Sequence, residues 1–378
     1  MPLIVYLDTQ DYISLFNEKG DGPNHKILDA LLKHRDRGEI VIGFSWVTVA
    51  EFITKPDAAN RSERVRRGQL IKDICGRNAF PDLVGLRNGA AFPNGGMWVF
   101  DAGTKVITAQ RFRNQMHNAL LEQLASESGI NRKQRRQLGR MSAIPELARQ
   151  AASTWGRKRS DWGDIPISEE FLQSRVLERW MKGECSDREF EERLNAWFSD
   201  PAEFSRVVYD YADQPNLIDK HFGKTVTDIA SKVKVLQDAV AGITSVNTRI
   251  LDIRTRLVEA GVEKSKARRA IKQVSMPEID AQSFDQRLAE AFGKNRIGHF
   301  RHYLTQAMDP SYRFLSSDVM DLFQMLYAYD CDLFRCDKAM ANTFRRYEPF
   351  EKKLVSRFRD LPDRIAKLLA DTLSPSIL

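Results

Sequence analysis

A chain of 378 residues, 42% hydrophobic and 29% charged, is long enough for one large core or two modest ones, and its longest apolar stretch, roughly residues 40 to 50, is too short to span a bilayer. Its four cysteines, at 75, 185, 331 and 336, form no Cys-x-x-Cys spacing, which excludes a disulfide scaffold and a zinc ribbon. The net charge of +7 is unevenly spread, and no cationic, apolar leader precedes Leu3, so a cytoplasmic protein without membrane attachment is expected.

Leu3 to Leu7 is a nearly continuous apolar run of the kind buried on both faces in a parallel sheet, and it ends at Asp8. Helical spacing follows in Ile13, Leu15 and Phe16 and again in Ile27, Leu28, Leu31 and Leu32, with a break at Gly20-Asp-Gly-Pro23. Glu39 to Phe44 reads as a second strand, and Ser45 is placed to cap a helix that carries Glu51 among the apolar neighbours Val49, Ala50, Phe52 and Ile53. A loop rich in Gly, Pro and Asn runs from Phe80 to Gly96 and closes an α/β segment of residues 1–100.

Residues 101–311 lose the strand signal and read as an all-helical domain, punctuated by Pro145, Pro166, Pro201, Pro215 and Pro277. Residues 105–160 hold 12 basic and 3 acidic side chains, whereas 161–240 hold 10 and 17. The basic part concentrates in Arg132, Lys133, Arg135, Arg136 and Arg140, then Arg157, Lys158 and Arg159 after Trp155. Cationic side chains of this density contact phosphates, and a tryptophan between them can stack on an unpaired base, so a nucleic-acid platform is expected here. The acidic part can pair with it within the chain or across a homo-oligomer or protein partner.

Residues 312–378 return to the α/β grammar. Ser316 and Ser317 can cap a helix from Asp318 to about Tyr329, Asp330 and Asp332 fall in a turn where solvation is expected, and Asp332-Leu-Phe-Arg-Cys336 reads as a short strand ending at Asp337. Lys353 to Ser356 is a candidate edge strand and Ile365 to Leu373 a closing helix.

Ligands of open parallel sheets bind beyond the carboxyl ends of the strands. Asp8 and Asp337 fall at such ends, Glu51 and Asp318 in the helices that frame them, and Asp321 one turn after Asp318 on the same helix face. Carboxylates gathered this way repel one another unless protons or a divalent cation intervene, and hard oxygen ligands in this number suit Mg²⁺ or Mn²⁺.

Val5-Tyr-Leu-Asp8-Thr-Gln10, Val47-Thr-Val-Ala-Glu51-Phe, Ser317-Asp318-Val-Met-Asp321-Leu and Cys331-Asp-Leu-Phe-Arg-Cys-Asp337-Lys together resemble the PIN-like ribonuclease superfamily, over roughly residues 1–80 and 312–350. The resemblance implies a PIN-like parallel sheet flanked by helices, formed from both chain ends around the inserted helical domain. It also implies that Asp8, Glu51, Asp318 and Asp337 bind one or two Mg²⁺ or Mn²⁺ ions, with Asp321 a fifth ligand or a partner to one. The activity implied is endonucleolytic hydrolysis of RNA by a metal-activated water, with single-stranded DNA left open as substrate and a toxin or phage-defence role by analogy. Gln10 and Cys336 stand where that family usually has Asn and Thr or Ser, so the hydrogen bonds that orient the ligands are expected to differ. The alternative reading is a non-catalytic RNA-binding or assembly protein on the same scaffold.

Overall fold

The two apolar runs at the start of the chain become parallel neighbours. Strand β1 is Leu3–Tyr6 and β2 is Ile40–Gly43, registered from Leu3 opposite Ile40 to Tyr6 opposite Gly43. The computed structural model describes residues 1–53, 61–82, 85–86, 90, 92, 106–116, 118, 156–162, 165–211, 242, 245, 248–266, 286, 289–290, 294–307 and 317–373. On its other edge β1 pairs in parallel with β3, Leu333–Arg335, which in turn pairs with β4, Leu354–Val355. The all-parallel sheet therefore runs β2-β1-β3-β4, with two strands from each end of the chain. This is the α/β class that the buried, β-branched strand sequences predict.

Helices follow the strands at once. Asp8 caps α1, Thr9–Asn17, and α2, Pro23–Asp36, starts on a proline whose missing N–H is no loss in a first turn. Gly38, at φ +71°, turns the chain out of α2 towards β2, a conformation that side chains with a Cβ rarely adopt. Ser45 Oγ accepts from Thr48 N at 3.3 Å at the start of α3, Trp46–Ile53, the capping role the sequence predicts. The helix expected from Asp318 to about Tyr329 is instead an α-helix, Ser317–Gln324, that tightens into a 3₁₀ segment, Met325–Tyr329. Asp330 is not solvated as expected: it is half-buried and bidentate to Arg296 at 2.8 and 2.9 Å. Exposed Asp332 accepts from Ile4 N at 2.7 Å and so anchors the start of β3 to β1.

The chain divides into two compact units, one of residues 1–52, 73–100 and 224–378 and the other of residues 53–72 and 101–223. The first holds the sheet. Its core surrounds Tyr6, which is fully buried, stacks on Phe334 at 4.7 Å and on Tyr327 at 5.9 Å, and meets the edge of Phe80 at 5.8 Å. The Tyr6 hydroxyl reaches Ser45 Oγ at 2.8 Å and Thr48 Oγ1 at 3.0 Å, which satisfies all three buried groups and ties β1 to α3. Phe300 and Tyr303, from the Gly298–Ala307 helix, complete this core.

The second unit is built on aromatic packing, with Trp180 stacked on Phe190 at 4.1 Å and Phe112 on Trp162 at 5.4 Å. Arg61 there bridges Glu170 and Asp210 at 2.6 and 2.8 Å.

Tyr6→Phe removes the hydroxyl that Ser45 and Thr48 share, leaves those two bonded to each other, and is expected to cost about 0.5–1.5 kcal/mol, whereas Phe334→Ala opens a cavity beside β1 and is expected to cost about 3–5 kcal/mol. Urea unfolding followed by fluorescence checks both. A loss of well under 1 kcal/mol for Phe334→Ala would contradict the assignment of this stack to the core.

Candidate metal centre

The sheet order places β1 and β3 side by side while their connections lead away to β2 and β4, so a switch point lies between their carboxyl ends. Asp8 stands two residues past β1 and Asp337 two residues past β3, one on each side of that point. Both carboxylates cap helices: Asp8 Oδ1 accepts from Gln10 N at 3.1 Å, and Asp337 Oδ1 accepts from Met340 N at 2.6 Å at the start of the Lys338–Thr343 helix. The positive end of a helix thus faces each acid. Asp8 is nonetheless 9% exposed, and burial raises its pKa, with nearby Asp337 adding to the rise while the Gln10 N–H and Arg335 oppose it.

Glu51 points into the same region from α3. Its Oε2 accepts from Thr9 Oγ1 at 2.6 Å and from Gln324 Nε2 at 2.8 Å, and Gln324 Nε2 also donates to Thr9 Oγ1 at 3.2 Å. This triangle joins α1, α3 and the Ser317–Gln324 helix, and the buried amide of Gln324 fixes which way the glutamate oxygen faces. Asp318 is oriented by fully buried Tyr303, whose hydroxyl donates to Oδ2 at 2.6 Å.

Asp321 is the group on which these charges act. It is half-buried, and among the described residues no hydrogen bond or ion pair holds it. Its pKa is pushed up to about 8, first by burial and then by the negative charges of Asp8, Asp337, Glu51 and Asp318. The four other sequence-derived acids therefore all act electrostatically on Asp321. A proton on Asp321 removes its share of this repulsion together with the cost of burying its charge.

Sequence reasoning missed the residues that hold these acids. Asp11, 3% exposed, accepts from Asp8 N at 3.2 Å, completing a capping box; burial pushes its pKa up to about 7 against the pull of Arg335. Arg335, at the end of β3, lies with Nη2 3.1 Å from Asp11 Oδ1 and Nη1 3.8 Å from Asp8 Oδ2. A charged residue between Phe334 and Cys336 in a strand, and a glutamine within Leu322-Phe-Gln-Met-Leu326, are the visible signals, because buried polar groups in apolar runs require partners. Tyr303 carries no such signal. Gln10, where the resembled family usually has Asn, turns its side-chain amide towards Ser14 Oγ at 3.4 Å on the exposed side and meets Asp8 only through its backbone N–H. Cys336 is 5% exposed, and burial together with the Asp8 charge pushes its thiol pKa up.

The donor set is wholly carboxylate oxygen, which matches the preference of Mg²⁺ or Mn²⁺ and gives a site for zinc or copper no nitrogen or sulfur to favour it. Half-buried Asp321, with no partner among the described residues, also fits such an ion, which would replace the proton its neighbours impose. Among the described residues no three His, Cys, Asp or Glu side chains are grouped so as to hold a metal ion in the arrangement seen, so holding one calls for side-chain rotation.

Of the expected nucleic-acid contacts, Arg132, Lys133, Arg135, Arg136, Arg140 and Trp155 lie outside the described residues. Arg157 and Lys158 are exposed. Arg159 is engaged inside the second unit, 3.1 Å from Asp210 Oδ2 and stacked over the Tyr211 ring at 5.5 Å. No helix among the described residues is long and apolar enough to cross a membrane. No protein-family model matches the chain, and no curated protein or solved structure matches it either.

A carboxyl whose pKa is higher in the folded chain than its unfolded value near 4 binds its proton more tightly when folded, so stability falls as pH rises between those two values. For Asp321, with a folded value of about 8, the loss runs from about pH 4 to about pH 8. Urea unfolding in chelator at about pH 5 and about pH 8 is expected to show the wild type weaker at the higher pH and Asp321→Asn with a smaller difference. Equal differences for the two proteins would contradict the repulsion assigned to Asp321.

Proposed function

We propose that this chain is a metal-dependent endoribonuclease, with a PIN-like α/β domain into which a basic helical domain is inserted. The observation that carries the reading is the pressure on Asp321 from Asp8, Glu51, Asp318 and Asp337, carboxylates supplied by both ends of the chain at the switch point of a parallel sheet. Mg²⁺ or Mn²⁺ bound there would lower the pKa of a water and offset charge at a scissile phosphate. Asp8, Glu51, Asp318 and Asp337 are the ligands in this reading, and Asp321 is a fifth ligand or the acceptor of a proton from the site. Thr9 and Gln324 donate hydrogen bonds to Glu51, and Tyr303 donates one to Asp318, the kind of support that ligand carboxylates need. No residue in this reading forms a covalent intermediate.

RNA is the substrate class, with single-stranded DNA as the competing one, and the basic stretch from Arg132 to Arg159 is the binding platform. Of its described members, Arg157 and Lys158 are exposed and so can meet phosphates. A ribonuclease of this kind acts in the cytoplasm, and a toxin or phage-defence effector is the role it suits by analogy. One observation favours a second reading, a non-catalytic RNA-binding or assembly protein: the described carboxylates do not group as metal ligands without rotating.

Cleavage of single-stranded RNA with Mn²⁺ separates the two. Asp8→Asn and Asp337→Asn are each expected to lower the rate by about 100-fold or more, beyond the loss typical for a residue that only orients a ligand, while leaving RNA binding intact. Equal cleavage, or none, by all three proteins would overturn the nuclease reading. Replacing Arg157 and Lys158 with Ala is expected to weaken RNA binding across sequences and to lower the salt slope by about 1 for each phosphate that is no longer neutralised. Unchanged binding would remove these two residues from the platform.

A further inference from the structure

The carboxylate cluster contains its own cation. Arg335 is 9% exposed at the end of β3, and its guanidinium faces two acids of the first helix cap at once, Asp11 through Nη2 and Asp8 through Nη1. Nη1 also donates to the Cys336 carbonyl, while Nε is buried and has no hydrogen-bond partner among the described residues. Only part of the fork is therefore satisfied, by the Cys336 carbonyl and by the two acids Asp11 and Asp8.

The two oxygens of Asp8 are thus divided. Oδ1 accepts the Gln10 N–H at the start of α1, and Oδ2 faces Arg335 at 3.8 Å. An Mg²⁺ or Mn²⁺ ion on Oδ2 at about 2.1 Å would lie within about 6 Å of the guanidinium. At that separation in a largely buried site, a +2 ion and a +1 group repel each other strongly and salt screens them little.

We propose that Arg335 is a tethered competitor for Asp8, a fixed positive charge that keeps divalent-ion affinity below what the carboxylates alone would give. The inference rests on the metal reading above and adds a residue to it. Asp11 is the resting partner: as the ion takes Asp8, the guanidinium keeps its closer contact with Asp11 and gives up the longer one. The opposite role, a positioning residue that holds Asp8 ready for metal, predicts the opposite change in affinity when Arg335 is removed.

The test is titration of the full-length protein with Mn²⁺, with the free ion read by its paramagnetic resonance signal, for wild type, Arg335→Gln, Arg335→Lys, the double variant Asp11→Asn with Arg335→Gln, and Asp8→Asn. Arg335→Gln is expected to tighten Mn²⁺ binding by about 10-fold or more, the scale on which groups that touch metal ligands alter affinity, and Arg335→Lys is expected to stay near wild type. The double variant replaces the buried pair by a neutral one, so it guards against a folding defect and against the bare charge of Asp11 acting as a new ligand; it is expected to tighten binding as well. Unchanged or weaker binding in both variants lacking the charge overturns the proposal, as does tightening confined to the single variant. Asp8→Asn distinguishes the two levels: if it binds Mn²⁺ as wild type does, or if none of the proteins binds it, the metal reading itself fails.

Discussion

Everything at the proposed site depends on one pairing, that of β1 with β3. The hydrogen-bonded register that sets Tyr6 beside Phe334 joins segments more than 300 residues apart, and Ile4 and Asp332 lock it with bonds in both directions, from Asp332 N to the Ile4 carbonyl at 2.9 Å and from Ile4 N to the Asp332 carboxylate at 2.7 Å. The enthalpy of a few backbone bonds does not by itself repay the closing of so long a loop. The stack of Phe334, Tyr6 and Tyr327, with Phe80 at its edge, buries the apolar area that does. Because Asp8 and Asp337 each follow their strand by two residues, this register alone decides that they share an end of the sheet.

The same register creates an electrostatic conflict, and much of the local chemistry answers it. Helix starts face Asp8 and Asp337, neutral donors face Glu51 and Asp318, and Arg335 faces Asp11 and Asp8. Asp321 has none of these aids among the described residues, and its raised proton affinity is where the remaining repulsion appears. That pressure on Asp321 is the observation on which the proposed metal site rests.

The sheet was legible in the sequence where strands are buried on both faces, because runs such as Leu3-Ile-Val-Tyr and Ile40-Val-Ile carry no competing helical period. The short β3 was legible mainly from the Asp337 that follows it, and the strand order was not legible at all, since parallel order is set by crossover geometry rather than by local composition. The acids were visible as charges at the ends of apolar runs. Their partners were not, because Tyr303 and Gln324 read as ordinary members of apolar helices until the fold puts them against Asp318 and Glu51. Asp330 misled for a related reason: turn position argues for solvation, yet Arg296 from a distant segment claims it.

If acids from both ends of this chain form one cation-binding centre at the β1–β3 switch point, a bound ion has to be visible there. Anomalous diffraction from crystals of the full chain soaked in Mn²⁺ decides the matter. A strong peak is expected at about 2.1–2.2 Å from oxygens of Asp8 and at least two of Glu51, Asp318, Asp321 and Asp337, the ligand distance of a hard divalent ion. A well-diffracting soaked crystal with Mn²⁺ bound elsewhere, or with no peak among these carboxylates, would refute the shared centre.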